Sequence, residues 1–345
     1  MKIAIIGDTH LGAGKSSTIL HNHFAQFYDF FFNYLSKHNI TEIIQEGDLF
    51  DQRKDVHFAT IKWANENFFR PIKDGNINLT VISGNHDCTF KNHNRLNSVS
   101  LLCPKETKVI DLVPETILFG DKAIDFYPWI SPENLDDSKK FLAKSKSDFA
   151  VGHFEFVNFP MHPGSLCTHG ASHKEFSKYE KVFSGHFHTI SQQDNILYTG
   201  TPYELTWSDC NDSKGFWVLD TETSNLEYIK SPFKLFEKIT YIEDMDYDFS
   251  EASEKYVKIV VASKTSQKKF DEFVTNVNLN NPNDVKIIEA SIVDKITEAV
   301  DVTDLVTTRD MISGVIDTLD VNVDKDKLKN LVLGIYTEAM ELSKV

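Results

Sequence analysis

Five short apolar runs in the first two hundred residues share one pattern: a β-branched stretch ends at or beside a small residue, and a polar cluster follows. Unalternating runs of this kind are typical of strands buried on both faces. The runs are Lys2–Gly7, Glu42–Glu46, Leu79–Ser83, Phe149–Gly152 and Lys181–Ser184. They predict five buried strands, each with polar residues just beyond its end.

Apolar residues at spacings of three and four predict helices between several of these strands. Thr18–Lys37 carries such a stripe, and His38-Asn39 is its expected stop. Asp55–Phe69 is a second predicted helix, with its first residue as candidate N-cap and Pro71 just beyond its end. The pattern then becomes strand-turn-strand over Ile196–Trp207, Gly215–Asp220 and Leu226–Ile229. Strands alternating with helices indicate a layered α/β domain with helices on the outer faces of its sheets.

A second unit is expected after Ser231-Pro232 and the acidic stretch Glu243–Asp248. Its pattern is strand, helix, strand, over Tyr256–Ala262, Ser266–Asn276 and Val285–Ala290. Residues 303–345 then predict two short amphipathic helices. Their apolar faces are Leu305, Met311, Val315, Ile316 and Leu319, and Leu328, Leu331, Val332, Ile335 and Met340.

Composition and charge argue against several classes of protein. The chain has 345 residues, 41% of them hydrophobic, which is ample for a folded core in more than one domain. No apolar stretch reaches about 18 residues, so we expect no membrane span. The net charge of −15 argues against tight DNA binding by the chain alone. Four cysteines without a CxxC pair favour a reducing cytosol and argue against a disulfide framework or a cysteine–zinc site.

The polar clusters after the predicted strands supply a set of metal-ligating side chains. They are Asp8, His10, Asp48, Asn85, His153, His186 and His188. Because ligands bind outside the carboxyl ends of strands in α/β sheets, we expect these residues to meet at one rim. Each cluster alone is a weak signal, but five in this order predict a shared metal site. A mixed nitrogen and oxygen set suits Mn²⁺, Fe²⁺ or Zn²⁺ better than Ca²⁺.

The clusters, read as motifs, resemble the five signatures of calcineurin-like metallophosphoesterases. They are Gly7-Asp8-Thr9-His10, Gly47-Asp48-Leu49-Phe50-Asp51, Gly84-Asn85-His86-Asp87, Gly152-His153 and Gly185-His186-Phe187-His188. The resemblance covers roughly residues 1–220. Within that superfamily the GDLFD, NHD and GHFH forms, and Tyr198-Thr199-Gly200-Thr201-Pro202, are most similar to the SbcD/Mre-type DNA repair nucleases, and especially to the phage recombination endonucleases of that type.

The resemblance implies a layered α-β-β-α metallophosphoesterase sandwich with a small α/β cap and a C-terminal helical segment. The implied domains are a nuclease domain over 1–235, a DNA-binding cap over 236–292, and a linker with a helical partner-binding segment over 293–345. Because no family motif lies beyond about residue 220, the last two ranges depend on the apolar pattern as well.

The resemblance also implies roles for the site residues. Asp8, His10 and His188 would hold one metal, Asn85, His153 and His186 the other, and Asp48 would bridge them. The expected cofactors are two Mn²⁺, with Mg²⁺ or another divalent ion as the alternative. His86 would protonate the leaving sugar oxygen; the alternative is a supporting hydrogen bond to a carboxylate. Asp87 is expected to orient the loop or a ligand.

Basic residues that follow the motifs are candidates for contacts with substrate phosphates. They are Lys15, Arg53, Lys54, Lys91 and Arg95, and an ordinary solvated face is the alternative. Lys264, Lys268 and Lys269 of the second unit are weaker candidates for DNA contact. Phe154, Phe156 and Phe159 either stack on bases or pack in the core, with the core favoured.

The predicted function is that of the nuclease subunit of an SbcCD/Mre-Rad-type complex, an exo- and endonuclease in end processing and recombination. The implied partners are DNA, an SMC-like ATPase bound through the C-terminal helices, and a second copy of this chain within a heterotetramer. The location would be cytoplasmic, in the host cell if the chain is phage-encoded. The alternatives are another calcineurin-like phosphodiesterase or phosphatase, acting on nucleotides or phosphoproteins, and a non-catalytic metal-stabilised scaffold.

Overall fold

Strands of the larger unit alternate with helices, as the apolar pattern predicts. The computed structural model describes residues 1–162 and 165–289, and the isolated positions 316, 325, 327–329 and 332. The chain divides into two compact units, Met1–Glu237 and Lys238–Val345. The two C-terminal helices predicted over 303–345 lie outside the described residues, apart from those isolated positions. Among the described residues, no helix is long and apolar enough to cross a bilayer.

The described strands of the larger unit fall into two sheets and a short hairpin. In chain order they are β1 (Lys2–Ile6), β2 (Glu42–Gln45), β3 (Asn78–Ile82), β4 (Lys108–Ile110), β5 (Glu115–Phe119), β6 (Lys122–Tyr127), β7 (Phe149–Gly152), β8 (Pro160–His162), β9 (Ser165–Leu166), β10 (Lys181–Ser184), β11 (Ser191–Gln193), β12 (Ile196–Tyr198), β13 (Gly215–Asp220) and β14 (Asn225–Lys230). The first sheet has the order β14-β13-β1-β2-β3-β4, and the second has the order β11-β12-β10-β7-β6-β5.

Parallel pairing places the functional ends of the strands together. In the first sheet β1, β2, β3 and β4 are parallel neighbours, while β13 pairs antiparallel with β1 and β14. In the second sheet β12, β10, β7 and β6 are parallel neighbours, with β11 and β5 antiparallel at the edges. All five strands predicted from the apolar runs are present, and their carboxyl ends point to the same side of each sheet.

The two sheets pack face to face across one apolar core. Ile5 and Ile44 from the first sheet and Phe126, Val151 and Phe183 from the second belong to the same buried cluster. Burial on both faces explains why these strands read as continuous apolar runs. The hydrophobic effect across this interface holds the two halves of the unit together.

Helices cover the outer faces of the sandwich. They are α1 (Ala13–Ser16), α2 (Thr18–His38), α3 (Phe58–Ala64), α4 (Arg70–Asp74), α5 (Ser98–Leu102) and α6 (Leu135–Lys144). On α2, Phe31 meets Phe216 of β13 edge-on at 4.7 Å between ring centroids. On the other side Phe141 of α6 packs against Tyr127 of β6 at 5.6 Å. The predicted layered α-β-β-α sandwich is therefore confirmed.

The second predicted helix differs from the structure at both ends. It begins at Phe58, because the side chain of His57, and not of Asp55, accepts the amide of Ala59 as N-cap. It also continues past Pro71, because a π-helical turn over Asn65–Phe69 leads into α4 with the proline in its first turn, where its missing N–H is tolerated.

The smaller unit is a three-stranded sheet with one helix. Its elements are β15 (Phe236–Ile242), β16 (Tyr256–Ser263), α7 (Gln267–Leu279) and β17 (Asp284–Glu289), with the sheet order β15-β16-β17. Phe270 and Phe273 of α7 pack on Tyr241 of β15 and close a small core. The strand-helix-strand pattern predicted for this unit is present, and β15 adds a strand that the pattern did not predict.

We expect replacement of Phe183 by alanine to destabilise the larger unit by about 3–5 kcal/mol, because it leaves a cavity between the sheets. Phe58→Ala is the matched control: Phe58 is 86% exposed, so we expect a change within about 0.5 kcal/mol. Urea unfolding followed by circular dichroism measures both values. Equal losses in the two variants would contradict the face-to-face packing of the sheets.

Candidate metal centre

Seven side chains with ligand chemistry follow the carboxyl ends of five strands. Asp8 and His10 follow β1, Asp48 follows β2, Asn85 follows β3, His153 follows β7, and His186 and His188 follow β10. These are parallel strands of the two packed sheets, so their ends form one rim. The structure thus brings together all seven residues that the motifs indicate.

The first group is centred on Asp8. Asp8, His10 and His188 offer ligand atoms within 4.8 Å of one another, and so do Asp8, Asp48 and His153. The Nε2 atoms of His10 and His188 lie 3.2 Å apart. This group joins the loop after β1 to the loop after β10, and hence one sheet to the other.

The second group is centred on Asn85. Its Oδ1 lies 2.9 Å from His153 Nε2 and 2.9 Å from His186 Nδ1. Asp48 Oδ2 lies 3.3 Å from His153 Nε2 and 3.7 Å from His10 Nε2. Asp48 therefore lies between the two groups, where a bridging carboxylate is expected.

The residues present fit divalent ions. Neighbouring atoms that bind one ion at roughly 2.1 Å lie about 3 Å apart, as several of these atoms do. The facing nitrogens of His10 and His188 hydrogen-bond to each other only if one carries a proton, whereas both can offer lone pairs to an ion. The donors are imidazole nitrogen, carboxylate oxygen and amide oxygen, which suits first-row divalent metals or Mg²⁺.

Three of the seven residues have left-handed backbone conformations. The φ angles are 42° at His10, 50° at Asp48 and 86° at His186. Such conformations cost of order 1–3 kcal/mol each for residues other than glycine and concentrate at functional sites. At each of these residues the backbone turns sharply after the strand, so that the side chain of the residue faces the rim.

Buried carboxylates alter the protonation of two histidines. Burial opposes a positive charge on His10 and His153, but the carboxylates of Asp48, Asp8 and (for His10) Asp51 outweigh it. The pKa of His10 rises to about 9 and that of His153 to about 10. Without a metal ion, both imidazoles are therefore protonated at neutral pH, and protons and metal ions compete for the same nitrogens.

The pKa values of the other titratable candidate ligands shift in different directions. Burial raises the pKa of Asp8 to about 6, which His153 partly offsets. Burial acts in the same direction on Asp48, but His153, His10 and His86 hold the pKa of that carboxyl well below its usual range. Burial and the positive charge of nearby histidines lower the pKa values of His186 and His188 to about 3. Asp48 is therefore the permanent negative charge of the rim.

Supporting hydrogen bonds fix the loops. The carboxylate of Asp87 accepts the backbone amides of Leu49, Phe50 and Gly84 and the hydroxyl of Ser98. It therefore ties the loop after β2 to the loop after β3. His153 Nδ1 lies 2.8 Å from the carbonyl oxygen of Glu46, which assigns the ring proton to Nδ1 and leaves Nε2 for a ligand.

Glu46 also presents a buried carboxyl group behind the rim. Its side chain accepts the hydroxyl of Thr199, and burial raises its pKa to about 8 despite that bond. The group is therefore mainly protonated at neutral pH and adds little negative charge. The motif pattern did not single it out.

Lys214 is another residue that the motifs did not indicate. Only 3% of it is exposed, and its ammonium donates to the carbonyl oxygen of His188 at 2.9 Å. Asp209 and Asp212 neutralise it at 2.8 and 3.0 Å. This buried group holds the backbone of a candidate ligand. No sequence signal links it to His188, since Lys214 precedes β13 of the first sheet and His188 follows β10 of the second.

His86 is held beside the candidate ligands. Its backbone N–H donates to Asp48 Oδ1 at 2.6 Å, and its Nδ1 lies 2.6 Å from the carbonyl oxygen of Asp51. A carbonyl only accepts, so Nδ1 carries the proton and Nε2 is the nitrogen left for other chemistry. The supporting bond is to a main-chain carbonyl, whereas the alternative considered from the sequence was a carboxylate.

The predicted phosphate-binding residues differ in their surroundings. Lys15, Lys54 and Lys91 are exposed, and Arg53 is half-buried. Arg95 is exposed, and its Nε donates to Glu133 at 2.6 Å, so its charge is already paired. In the smaller unit Lys269 pairs with Glu243 and Asp244, and Lys268 with Glu272.

The three phenylalanines after His153 are core residues. Phe154, Phe156 and Phe159 are at most 3% exposed and belong to the cluster on the outer face of the second sheet. Trp129 is an aromatic side chain that does lie beside the rim, with its ring centroid 5.5 Å from that of His186. The core alternative stated from the sequence is thus the one that the structure favours.

Comparisons with known proteins show a family and several relatives that this chain resembles. Residues 1–190 match the calcineurin-like phosphoesterase family. The chain is 32% identical over 345 residues to exonuclease subunit 1 of Enterobacteria phage T4, covering 99% of this chain and 100% of that protein. It is 23% identical to the DNA double-strand break repair protein Mre11 of Nanoarchaeum equitans, over 63% of this chain and 66% of that one. It is 24% identical to the SbcD component of nuclease SbcCD from Staphylococcus epidermidis, over 81% of this chain and 80% of that one.

We expect the affinity for Mn²⁺ to rise with pH between about pH 6 and pH 9. The raised pKa values of His10 and His153 mean that each bound ion displaces protons, so Kd should fall up to about tenfold per pH unit for each proton displaced. Calorimetry in two buffers of different ionisation enthalpy measures both Kd and the protons released. A Kd independent of pH would contradict this protonation scheme.

We expect Lys214→Met to weaken metal binding by about 10–100-fold, because it removes the group that orients the backbone of His188. Lys230→Met, at an exposed position on β14, is the control and should leave Kd unchanged. Thermal unfolding of both variants separates a positioning role from general destabilisation. An unchanged Kd in a folded Lys214→Met protein would show that the contact has no such role.

Proposed function

The chain belongs to the calcineurin-like phosphoesterase family, and from this membership we propose that it is a metal-dependent DNA nuclease, the nuclease subunit of an SbcCD/Mre-Rad-type complex. The observation that carries the proposal is the convergence of seven side chains with nitrogen or oxygen ligand atoms, with Asp48 between the two groups. The relatives named as a phage exonuclease subunit, as Mre11 and as part of nuclease SbcCD support DNA as the substrate.

Asp8, His10 and His188 would hold one divalent ion, Asn85, His153 and His186 the other, and Asp48 both. When bound, two such ions supply a hydroxide nucleophile at neutral pH and offset the charge that builds up on the phosphate. We propose Mn²⁺ as the physiological ion, since imidazole and carboxylate ligands occur together in this set. Mg²⁺ and other divalent ions are the alternatives for the metal assay.

His86 is proposed as the proton donor to the leaving sugar oxygen. The Asp51 carbonyl fixes the ring through Nδ1, which leaves Nε2 to carry and release the second proton of the imidazolium. The backbone bond from His86 to Asp48 keeps the ring next to the ligands. A ring held at both its backbone and one nitrogen loses little freedom when substrate binds.

Cations around the rim would position the phosphates of the DNA. The cations are Lys15, Arg53, Lys54 and Lys91, each of which follows a motif that supplies candidate ligands. Positive charges near the rim would attract the negatively charged phosphates of DNA. Arg95 would have to exchange its bond with Glu133 for one with a phosphate. Because the whole chain carries a net charge of −15, this local attraction would need help from a partner.

The domain ranges and partners are part of the same proposal. Residues 1–235 would be the nuclease domain, 236–292 a DNA-binding cap, and 293–345 a linker and helices that bind an SMC-like ATPase. We propose a homodimer of this chain within a heterotetramer in the host cytoplasm. The match to the phage protein extends over 99% of this chain, and so includes the segment proposed for the ATPase.

The experiment compares the wild type with His86→Ala and Asp48→Asn on linear double-stranded and single-stranded DNA, in Mn²⁺ and in EDTA. We expect Mn²⁺-dependent cutting that falls about 10²–10⁴-fold in His86→Ala with metal binding retained, because only the proton donor is lost. Asp48→Asn should lose both metal binding and cutting. His38→Ala, at an exposed histidine that ends α2 and belongs to none of the motifs, should cut at the wild-type rate.

Two outcomes would contradict the proposal. Cutting that persists in EDTA would exclude metal-dependent hydrolysis. Hydrolysis of an aryl phosphodiester without any cutting of DNA, even with the ATPase partner and ATP present, would instead assign the chain to the phosphodiesterases that act on other substrates.

A further inference from the structure

A second cluster of ligand side chains lies in the segment that follows β7. The chain runs from Glu155 through the β8–β9 hairpin and returns to Ala171. Backbone hydrogen bonds hold the two arms together: Ala171 N–H to the carbonyl oxygen of Glu155 at 2.9 Å, and Cys167 N–H to that of Phe159 at 2.8 Å. The ladder places Glu155 on one arm beside Cys167 and His169 on the other.

The three side chains converge on one point. The Cys167 sulfur, an imidazole nitrogen of His169 and a carboxylate oxygen of Glu155 all lie within 4.8 Å of one another. His169 Nε2 and Glu155 Oε1 are 3.2 Å apart. Two ligands bound to one tetrahedral zinc ion at 2.0–2.1 Å would be separated by about 3.3 Å, so this pair already has the required spacing.

Burial gives the cluster a closed side and an open side. Cys167 is fully buried, whereas the side chains of Glu155 and His169 are 29% and 72% exposed. An ion between them would be held by the sulfur on the buried side and would be open to solvent on the side of His169, where water could complete its coordination. Three protein ligands and an open position are the arrangement of accessible zinc sites.

Gly170 allows the two arms to approach so closely. Its φ of 122° is a conformation that other residues rarely adopt, and a Cβ there would lie 2.2 Å from the carbonyl oxygen of Glu155. The backbone that carries His169 can therefore be drawn against Glu155 only with glycine at this position.

The cluster is chemically distinct from the rim described above. The rim residues offer nitrogen and oxygen only, and none of Glu155, Cys167 and His169 belongs to them. Thiolate and imidazole together select borderline-soft ions such as Zn²⁺ over Mg²⁺ or Mn²⁺. The three residues form no recognisable sequence motif, because Cys167 has no second cysteine nearby and Glu155 lies twelve residues away along the chain.

We propose that Glu155, Cys167 and His169 form a separate binding site for a thiophilic divalent ion of the zinc class. The Cys167 thiol donates to the carbonyl oxygen of His169 at 2.6 Å. Binding breaks that hydrogen bond, forms a metal–sulfur bond and releases the thiol proton to solvent, while His169 and Glu155 contribute a lone pair each. The ion would tie together the two arms of the segment that begins two residues after His153. This inference does not depend on the proposed nuclease function.

The test uses Co²⁺ as a spectroscopic substitute for Zn²⁺ in the full-length chain. Cobalt bound to thiolate gives a ligand-to-metal charge-transfer band in the near ultraviolet that nitrogen and oxygen ligands do not give. We expect this band to saturate at one equivalent per chain above any Co²⁺ held at the rim, and to disappear when Zn²⁺ is added. Asp48→Asn should keep the band, because it alters the rim alone.

Variants assign the ligands. Cys167→Ser should abolish the band, His169→Ala should weaken Co²⁺ binding by at least tenfold, and E155Q should weaken it less. Cys210→Ser, at a half-buried cysteine outside the cluster, should leave the spectrum unchanged. Since His169 is largely exposed, its alanine variant is expected to fold even if the Cys167 variant does not.

Three results would overturn the proposal. They are a wild-type chain without the charge-transfer band, a band that survives in a folded Cys167→Ser protein, and a His169→Ala protein that binds Co²⁺ with undiminished affinity and band intensity. Loss of DNA cutting plays no part in this test, so its failure and the failure of the proposed function are distinguishable.

Discussion

The buried carboxylate of Asp48 is the interaction on which the rim depends. It faces His10 from its own sheet and His153 from the other, at 3.7 and 3.3 Å, and it accepts the backbone N–H of His86. An ionised carboxylate with so little exposure is stable only when such partners compensate for lost hydration. The same negative charge draws protons onto the histidines when no ion is present and favours a cation in their place. The arrangement of the rim residues, the protonation of their histidines and their affinity for a metal ion therefore all depend on the charge of Asp48.

The apolar pattern predicted the strands after which the candidate ligands lie, but not β6, although the last four residues of β6 are buried. The strands after which the ligands lie are covered on both faces, so their sequences show unbroken apolar runs with a polar residue at each end. The edge strands β5 and β15 were not predicted, since their buried residues alternate with more exposed ones and neither strand has an unbroken apolar run followed by a polar motif. The helix through Pro71 was misread for a different reason, since a π-helical turn adds a residue that no periodicity rule anticipates.

Some residues of the candidate site could be predicted from their local sequence, whereas others are recognised only from contacts between distant parts of the chain. Asp8, Asp48 and the histidines are visible in sequence because each immediately follows its strand. Lys214 and Glu46 contribute through contacts that exist only after the sheets have paired and packed. The sequence around each of them therefore gives no indication of its role. Phe154 shows the opposite limit: its proximity to His153 along the chain left base stacking as the less favoured alternative, and only the packing of its ring against Phe156 and Phe176 places it in the core.

The division of the ligands between two sheets has a consequence for the order in which the protein is made. Asp8, His10, Asp48 and Asn85 all precede residue 90, whereas His186 and His188 come about a hundred residues later. A chain emerging from the ribosome therefore carries four of the seven ligands, including both carboxylates, long before it carries the last two. During that interval the first sheet lacks β13 and β14, and the second sheet lacks β10, β11 and β12. Any ion captured then would be held by an incomplete set, and correct loading must wait until synthesis has passed β10.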